Sequence, residues 1–196
     1  MTLATKYLSP LLLALLSLPL IHSLSMAQAP GAPRLAPKVY LGAGYATILN
    51  PDAIDNDFKP SYSFQLGVGM PISVGFEVLG RFHYHNFSSE NLASFAPLPE
   101  SDMRIWTIGL DAKWPLAPPL SPVKPYALVG VGKFDFERVS GPTTTDETGL
   151  YFNVGGGLDI KFGPSFALFA EAKYTIVATS TESIGIVPMI VGIRIL

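Results

Sequence analysis

Beyond residue 37 the chain alternates apolar residues with small or polar ones, and clusters of Pro, Gly, Ser, Thr, Asn and Asp interrupt the alternation. An alternation of period two that is bounded by turn residues is typical of β-strands. Segments with the periodicity of a capped helix are not found in this part of the sequence. The pattern predicts eight strands: Lys38–Leu49, Tyr62–Met70, Val74–Asn86, Arg104–Trp114, Pro125–Glu137, Leu150–Phe162, Phe166–Val177 and Ile184–Leu196.

Most predicted strands have one apolar face and one face of polar residues and glycine. In the third strand Phe76 and Phe82 share one parity, whereas Glu77 and Arg81 share the other. A face in contact with water does not need much glycine, but the lumen of an eight-stranded barrel leaves only enough space for side chains to fill. The polar parity therefore predicts a narrow lumen, with space made by Gly42, Gly44, Gly67, Gly69, Gly75, Gly109, Gly155 and Gly157.

Aromatic residues recur at an interval of eight on the apolar face of three predicted strands. Eight residues span ~26 Å along a strand. Strand tilt reduces this to ~20 Å along the membrane normal, close to the apolar band between the aromatic girdles of a transmembrane barrel. The predicted fold is therefore all-β, an eight-stranded antiparallel up-and-down transmembrane β-barrel. Its predicted aromatic girdle consists of Phe76 with Tyr84, Trp106 with Trp114, and Phe166 with Tyr174.

The register of the predicted strand Pro125–Glu137 stays open. Tyr126 and Phe134 have the girdle spacing, but the opposite parity, with Val129 and Val131, also has the character of a lipid-facing surface. A β-bulge would reconcile the two patterns, because it shifts the parity of the residues that follow it.

The links between the predicted strands alternate in length. Transmembrane barrels have short periplasmic turns and longer outer loops, which predicts a periplasmic N-terminus for the barrel. The exception is the segment 115–124, whose four prolines indicate a stiff periplasmic turn. The short links are 71–73 and 163–165, and the long links are 50–61, 87–103 and 138–149.

The first 27 residues have the features of a secretory signal peptide. Lys6 precedes the apolar run Leu11–Leu20, and Ser25-Met26-Ala27 matches the small-x-small cleavage pattern. We therefore expect a signal peptide over 1–27, a mature N-terminus at Gln28, a flexible periplasmic leader over 28–37 and an outer-membrane β-barrel over 38–196.

Four segments resemble those of the small outer-membrane β-barrel family, of the OmpA/OmpX and opacity-protein type: VYLGAGYA (39–46), PYALVGVG (125–132), GGGLDIKF (155–162) and FALFAEAKYT (166–175). The resemblance implies a monomer in the outer membrane of a Gram-negative bacterium. The implied partners are outer-membrane lipid, the barrel assembly machinery and periplasmic chaperones. Members of the family usually end on an aromatic residue, so Leu196, like Pro188 in the last strand, is a departure expected to affect assembly more than fold.

The amino-acid composition indicates that part of the protein surface is not in contact with water. Only 14% of the residues are charged and 48% are hydrophobic, whereas a typical soluble domain has about 25% charged residues. Thirteen Lys and Arg against fifteen Asp and Glu give a net charge of −2, which provides no basic footprint for nucleic acid. The absence of cysteine excludes a disulfide framework and a thiolate nucleophile.

The inward parity collects charges of both signs. Because an unpaired buried charge costs several kcal/mol, the near balance of acids and bases predicts a salt-bridge plug that closes the lumen. An ion path through a narrow porin-like channel is the alternative. This predicted lumenal charge cluster consists of Glu77, Arg81, Asp111, Lys113, Asp159, Lys161, Glu171, Lys173 and Arg194.

The sequence contains few candidate catalytic or metal-binding residues. His85 with Ser88 and Glu90 could form a nucleophile–base arrangement, as in lipid-modifying outer-membrane enzymes, but both His83 and His85 face the lumen by parity. The simpler interpretation is a polar rim that meets a Ser-rich loop, and a metal site at these two histidines lacks further visible ligands. We therefore predict a non-enzymatic protein without metal or cofactor, acting as an envelope component or as a surface adhesin or antigen through loops 87–103 and 138–149.

Overall fold

The computed structural model describes residues 36–50, 61–73, 75–88, 101–118, 121–140, 143–163, 165–179 and 183–195. The predicted signal peptide and residues 28–35 of the leader lie outside these ranges. The strands are β1 (Lys38–Asn50), β2 (Ser61–Ser73), β3 (Phe76–Ser88), β4 (Ser101–Pro115), β5 (Val123–Ser140), β6 (Thr143–Lys161), β7 (Phe166–Ala178) and β8 (Ser183–Ile195).

The strands form a closed barrel in chain order. Each strand pairs antiparallel with the next, and β1 pairs antiparallel with β8. This arrangement confirms the predicted eight-stranded up-and-down barrel. Within the described ranges no helix is long and apolar enough to cross a membrane.

The two faces of the wall differ as the alternation predicts. Leu110 and Val154 point outward and are 59% and 55% exposed, whereas Arg81 and Glu171 point inward and are 2% and 4% exposed. Exposed apolar side chains occur on seven of the eight strands, and the outward apolar side chains of β3 are half-buried, so the outer surface is apolar around the barrel. Such a surface is suited to lipid and not to water.

Aromatic side chains contact each other at two levels on this outer surface. The rings of Tyr84 and Trp106 have centroids 4.2 Å apart, and eight residues further along the same two strands Phe76 and Trp114 lie 5.0 Å apart. Phe166 is exposed and Tyr174 half-buried on the outer face of β7. All six residues of the predicted girdle therefore lie on the outer surface.

The structure resolves the open register of β5. The ladders of β5 with β4 and with β6 both run without interruption, so no bulge is present. Tyr126 and Phe134 are buried in the lumen at 3% and 2% exposure, whereas Val129 and Val131 face outward at 45%. The girdle spacing of the two aromatic residues in this strand is coincidental.

Three predicted boundaries are wrong. The predicted third strand begins too early, because Gly75 has φ +91° in the turn before Phe76, a conformation that favours glycine. The predicted loop 138–149 is mostly strand, since β5 and β6 stay paired as far as Ser140 and Thr143. Polar sequence there reflects an exposed hairpin and not a loop. The predicted loop 87–103 shrinks to 89–100, which lies outside the described residues.

Candidate functional site: the barrel lumen

Most charged side chains of the lumen lie in one half and the larger apolar cluster lies in the other, while a small apolar cluster of Tyr40, Leu79, Phe169 and Ile190 lies among the charges. We call the end where β1 begins and β8 ends the terminal end, and the opposite end the loop end. The ionic layer near the terminal end contains Lys38, Glu77, Arg81, Asp111, Lys113, Asp159, Glu171, Lys173 and Arg194. The apolar layer near the loop end contains Ala46, Ile48, Phe87, Met103, Ile105, Phe134, Phe136, Tyr151, Val177, Ile184 and Ile186.

Arg81 is the centre of the ionic layer. Its guanidinium binds the Glu171 carboxylate through both terminal nitrogens, with Nη2 2.9 Å from Oε2, and its Nε lies 3.2 Å from Asp111 Oδ2. Glu171 also accepts a hydrogen bond of 2.9 Å from the Tyr126 hydroxyl, and Gln65 Oε1 accepts one of 3.2 Å from Arg81. A bidentate arginine–carboxylate pair is among the strongest hydrogen-bonded arrangements in proteins. This pair joins β3 to β7 across the lumen.

A second group of ion pairs lies nearer the terminal end. Lys113 donates to both oxygens of Asp159 at 2.9 and 3.1 Å, and Arg194 lies 3.2 Å from the same carboxylate. The ammonium of Lys113 also lies 3.7 Å from the centroid of the Tyr126 ring, a cation–π geometry. The Lys38 ammonium lies 2.6 Å from Glu77. These contacts involve β1, β3, β4, β5, β6 and β8.

Glycine makes the space for the charged side chains. Arg81 lies opposite Gly67 on one neighbouring strand and Gly109 on the other. Asp111, Lys173 and Glu171 likewise lie opposite Gly130, Gly155 and Gly157. A Cβ at Gly155 would lie 2.9 Å from Lys173 Cγ, closer than real Cβ contacts. The charged layer fits the narrow lumen because its cross-strand neighbours have no side chain.

Lys173 connects the ionic layer to the two histidines. Its ammonium donates to His83 Nε2 at 3.0 Å and lies 3.5 Å from Glu171 and 3.7 Å from Asp111. The rings of His83 and His85 stack with centroids 5.8 Å apart and an interplanar angle of 15°. Both histidines are buried at 3% exposure, so the prediction that they belong to a polar rim is wrong.

The predicted charge cluster is brought together except for one member. Lys161 has the inward parity but is exposed, because it is the last residue of β6 and lies at the rim. Lys38 was missed, although its position at the start of a strand with inward parity was a signal. The tyrosines Tyr40 and Tyr126 were also missed, and both donate hydrogen bonds to buried carboxylates.

Of the three catalytic candidates, only the side chain of His85 belongs to the described part of the structure. His85 Nδ1 is hydrogen-bonded to Ser63 Oγ at 2.8 Å, while Ser88 is the last residue of β3 and Glu90 lies outside the described residues. Among the described residues no group of three or more His, Asp or Glu side chains could hold a metal ion. The arrangement favours a filled, hydrogen-bonded interior over a reactive centre.

Comparison with known proteins agrees with this architecture. The family described as "Outer membrane protein beta-barrel domain" matches residues 13–186. Comparison with curated protein sequences gives no significant match.

Solved structures show the same fold at low identity. The neisserial surface protein A is 18% identical, with a TM-score of 0.64 over 81% of this chain and 96% of that one. The attachment invasion locus protein Ail of Yersinia pestis is 18% identical, with a TM-score of 0.51 over 80% and 97%. The N-terminal β-barrel domain of Pseudomonas aeruginosa OprF is 13% identical, with a TM-score of 0.50 over 80% and 96%.

Proposed function

Because the chain belongs to the outer membrane protein beta-barrel family and lies in the bacterial outer membrane, we propose that it is a closed, non-enzymatic barrel that serves the envelope structurally or through its outer loops. The observation that carries this proposal is the filling of the lumen by two successive layers, one ionic and one apolar.

The ionic layer opposes a continuous ion path. Arg81 and Glu171 are paired with each other and contact Asp111 and Tyr126, so a permeating ion would have to displace a desolvated pair. Breaking such a buried pair costs about 3–5 kcal/mol. The balance of signs also removes the single-sign ring of charge that selectivity filters use.

The apolar layer closes the other end of the same path. Phe87 and Ile105 are completely buried, and Met103 is 1% exposed. Hydrophobic constrictions block channels because water leaves them. An ion that passed the charged layer would therefore meet a second barrier, whose only polar group among the described residues of this layer is the Tyr151 hydroxyl.

The outward end is where a partner would bind. The segments 51–60, 87–103, 138–149 and 179–183 contain nine Asp and Glu residues, with Lys59 and Arg138 as the only bases. Ail has been crystallised with the heparin analogue sucrose octasulfate. The acidic outer segments of this chain do not suit a sulfated glycan, so we propose a different host or cell-surface ligand, bound by segment 87–103 and by the β5–β6 hairpin at 138–149.

The barrel needs no second copy to complete its interior, because its own side chains fill the lumen. We therefore propose a monomer that reaches the membrane by the signal peptide 1–27, periplasmic chaperones and the barrel assembly machinery. Outer-membrane lipid covers the exposed apolar side chains of the wall.

Planar-bilayer recording tests the closed lumen. We expect no stable single-channel steps from the purified protein, whereas a known porin in the same bilayers gives steps. Reproducible conductance, with an ion selectivity that changes in Arg81→Ala while the folded barrel persists, would establish a narrow pore in place of the closed barrel.

A further inference from the structure

The wall of the barrel has one interruption in the described part of the β7–β8 ladder. Ala172 pairs with Met189 and Thr175 pairs with Ile186, but the two positions between them are not paired. The register is the same on both sides of this gap, so no bulge accounts for it. The residue of β8 opposite Lys173 is Pro188.

Proline explains the gap. The Met189 carbonyl lies against Gly44 of β1, and successive residues of a strand direct their backbone groups to opposite neighbours. Pro188 therefore faces β7, where it has no N–H to donate. The Lys173 carbonyl is left without its donor from β8. The ladder of β8 with β1 continues through Pro188, which pairs with Ala46.

A polar cavity lies directly inside this gap. Lys173, Thr175 and Pro188 line it from the wall, and His83 and Asn153 line it from the lumen. It offers about 10 Å³ to the centre of a water-sized group, which is close to the room that one water needs.

Three buried side chains that line the cavity carry polar atoms without a hydrogen-bond partner. His83 Nε2 accepts from the Lys173 ammonium, which can only donate, so His83 Nδ1 carries the hydrogen and lacks an acceptor. Asn153 donates to Asp111 at 3.0 Å, and its Oδ1 lacks a donor. His83 is 3% and Asn153 6% exposed. The third is the Tyr151 hydroxyl, which can donate or accept. The cavity thus presents one donor, one acceptor and one hydroxyl.

We propose that this cavity binds a single water molecule and that the unpaired backbone of β7 at the Pro188 gap lies against this water. A cation would leave the His83 N–H without an acceptor and an anion would leave Asn153 Oδ1 without a donor, whereas water donates and accepts at once. The neighbouring charges Arg81 and Lys173 are balanced by Asp111 and Glu171, so the cavity carries no net charge that calls for an ion.

Amide hydrogen exchange in lipid nanodiscs, followed by NMR, tests whether the gap lies against this water. The backbones of Glu171, Lys173 and Thr175 all face β8, but only Lys173 lies opposite Pro188. We expect the Lys173 amide to exchange about tenfold faster than the other two, because it has no ladder partner and the water lies beside it. In Pro188→Val the Lys173 rate should fall to that of its neighbours, while Ile190→Val on the same strand should leave the pattern unchanged.

Water-to-protein NOE measurements on the same sample test the occupant. We expect a long-lived water signal at the Asn153 side-chain amide, and its loss in His83→Phe. Equal exchange rates at the three amides of the unsubstituted protein, or no such water signal there, would overturn the proposal. A shift of the His83 imidazole signals on replacing sulfate by chloride would assign an anion and would also overturn it.

Discussion

The two layers of the lumen solve the same packing problem by opposite chemistry. In the ionic layer, long charged side chains cross the lumen and glycines on the neighbouring strands receive them, as Arg81 does between Gly67 and Gly109. In the apolar layer, Phe87 and Ile105 fill the space by volume alone. The stability of the ionic layer depends on charge pairing, and that of the apolar layer depends on close packing. Substitutions in the two layers should therefore destabilise the barrel for different reasons.

The largest effect is expected at Arg81. In Arg81→Ala the carboxylates of Asp111 and Glu171 stay buried without their partner, so the free energy of unfolding should fall by about 3–5 kcal/mol. Urea unfolding in detergent or lipid would measure the loss. The double variant Arg81→Leu with Glu171→Leu should recover much of it, and a double variant that is as unstable as the sum of the singles would contradict the pairing.

In the apolar layer, Ile105→Ala should cost about 2–5 kcal/mol, because it leaves a cavity among well-packed side chains. The matched control is Ile108→Ala on the same strand, which removes a lipid-facing side chain that is 59% exposed. We expect the control to cost clearly less in the same unfolding titration. Equal losses would mean that the lumen near the loop end is loosely packed and not sealed.

Leu110→Arg tests which side chains of the wall face lipid and which face the lumen. A charge on the lipid face near the bilayer midplane should destabilise the barrel by about 2–4 kcal/mol. Thr107→Ser, at a buried inward position of the same strand, retains the hydroxyl and should be nearly silent. If both variants unfolded at the same urea concentration, the assignment of the two faces would be wrong.

The smallest effect is expected at the rim of the ionic layer. Lys161→Ala should change the free energy of unfolding by less than about 0.5 kcal/mol, as exposed surface substitutions usually do. Lys113→Ala, which removes a buried partner of Asp159 at 2.9 Å, should cost several times more. A large loss in the free energy of unfolding in Lys161→Ala would show that this lysine belongs to the lumenal charge cluster.

These differences also separate what the sequence predicts from what it does not. The ionic layer could be predicted because charge and glycine share one parity against an apolar one, as Glu77 and Arg81 do against Phe76 and Phe82. Parity does not tell where a strand leaves the lumen, so Asp159 and Lys161 look equivalent although only Asp159 is buried. Partners across the lumen, such as Glu171 for Arg81, depend on closure and are invisible in the order of residues.

The apolar layer escaped prediction because both faces of the wall are apolar there. Ile48 points inward and Leu49 outward, and Phe134 lies in the lumen although its spacing is that of a girdle residue. Where lipid and the lumen both favour apolar residues, the alternation of residue types does not tell which side chains point inward. Only the ladder register decides which of them faces in.

The pair of Arg81 and Glu171 has a consequence for how the barrel assembles. The two residues are separated by 90 positions in the sequence and meet across the lumen from β3 and β7. Contacts of such long sequence separation form late in folding because they require the closure of a long loop. Until β8 joins β1, the two charges remain hydrated and contribute nothing. Closure then desolvates and pairs them in one step, so the last strand pairing to form is also the event that makes the unfolding of the whole barrel cooperative.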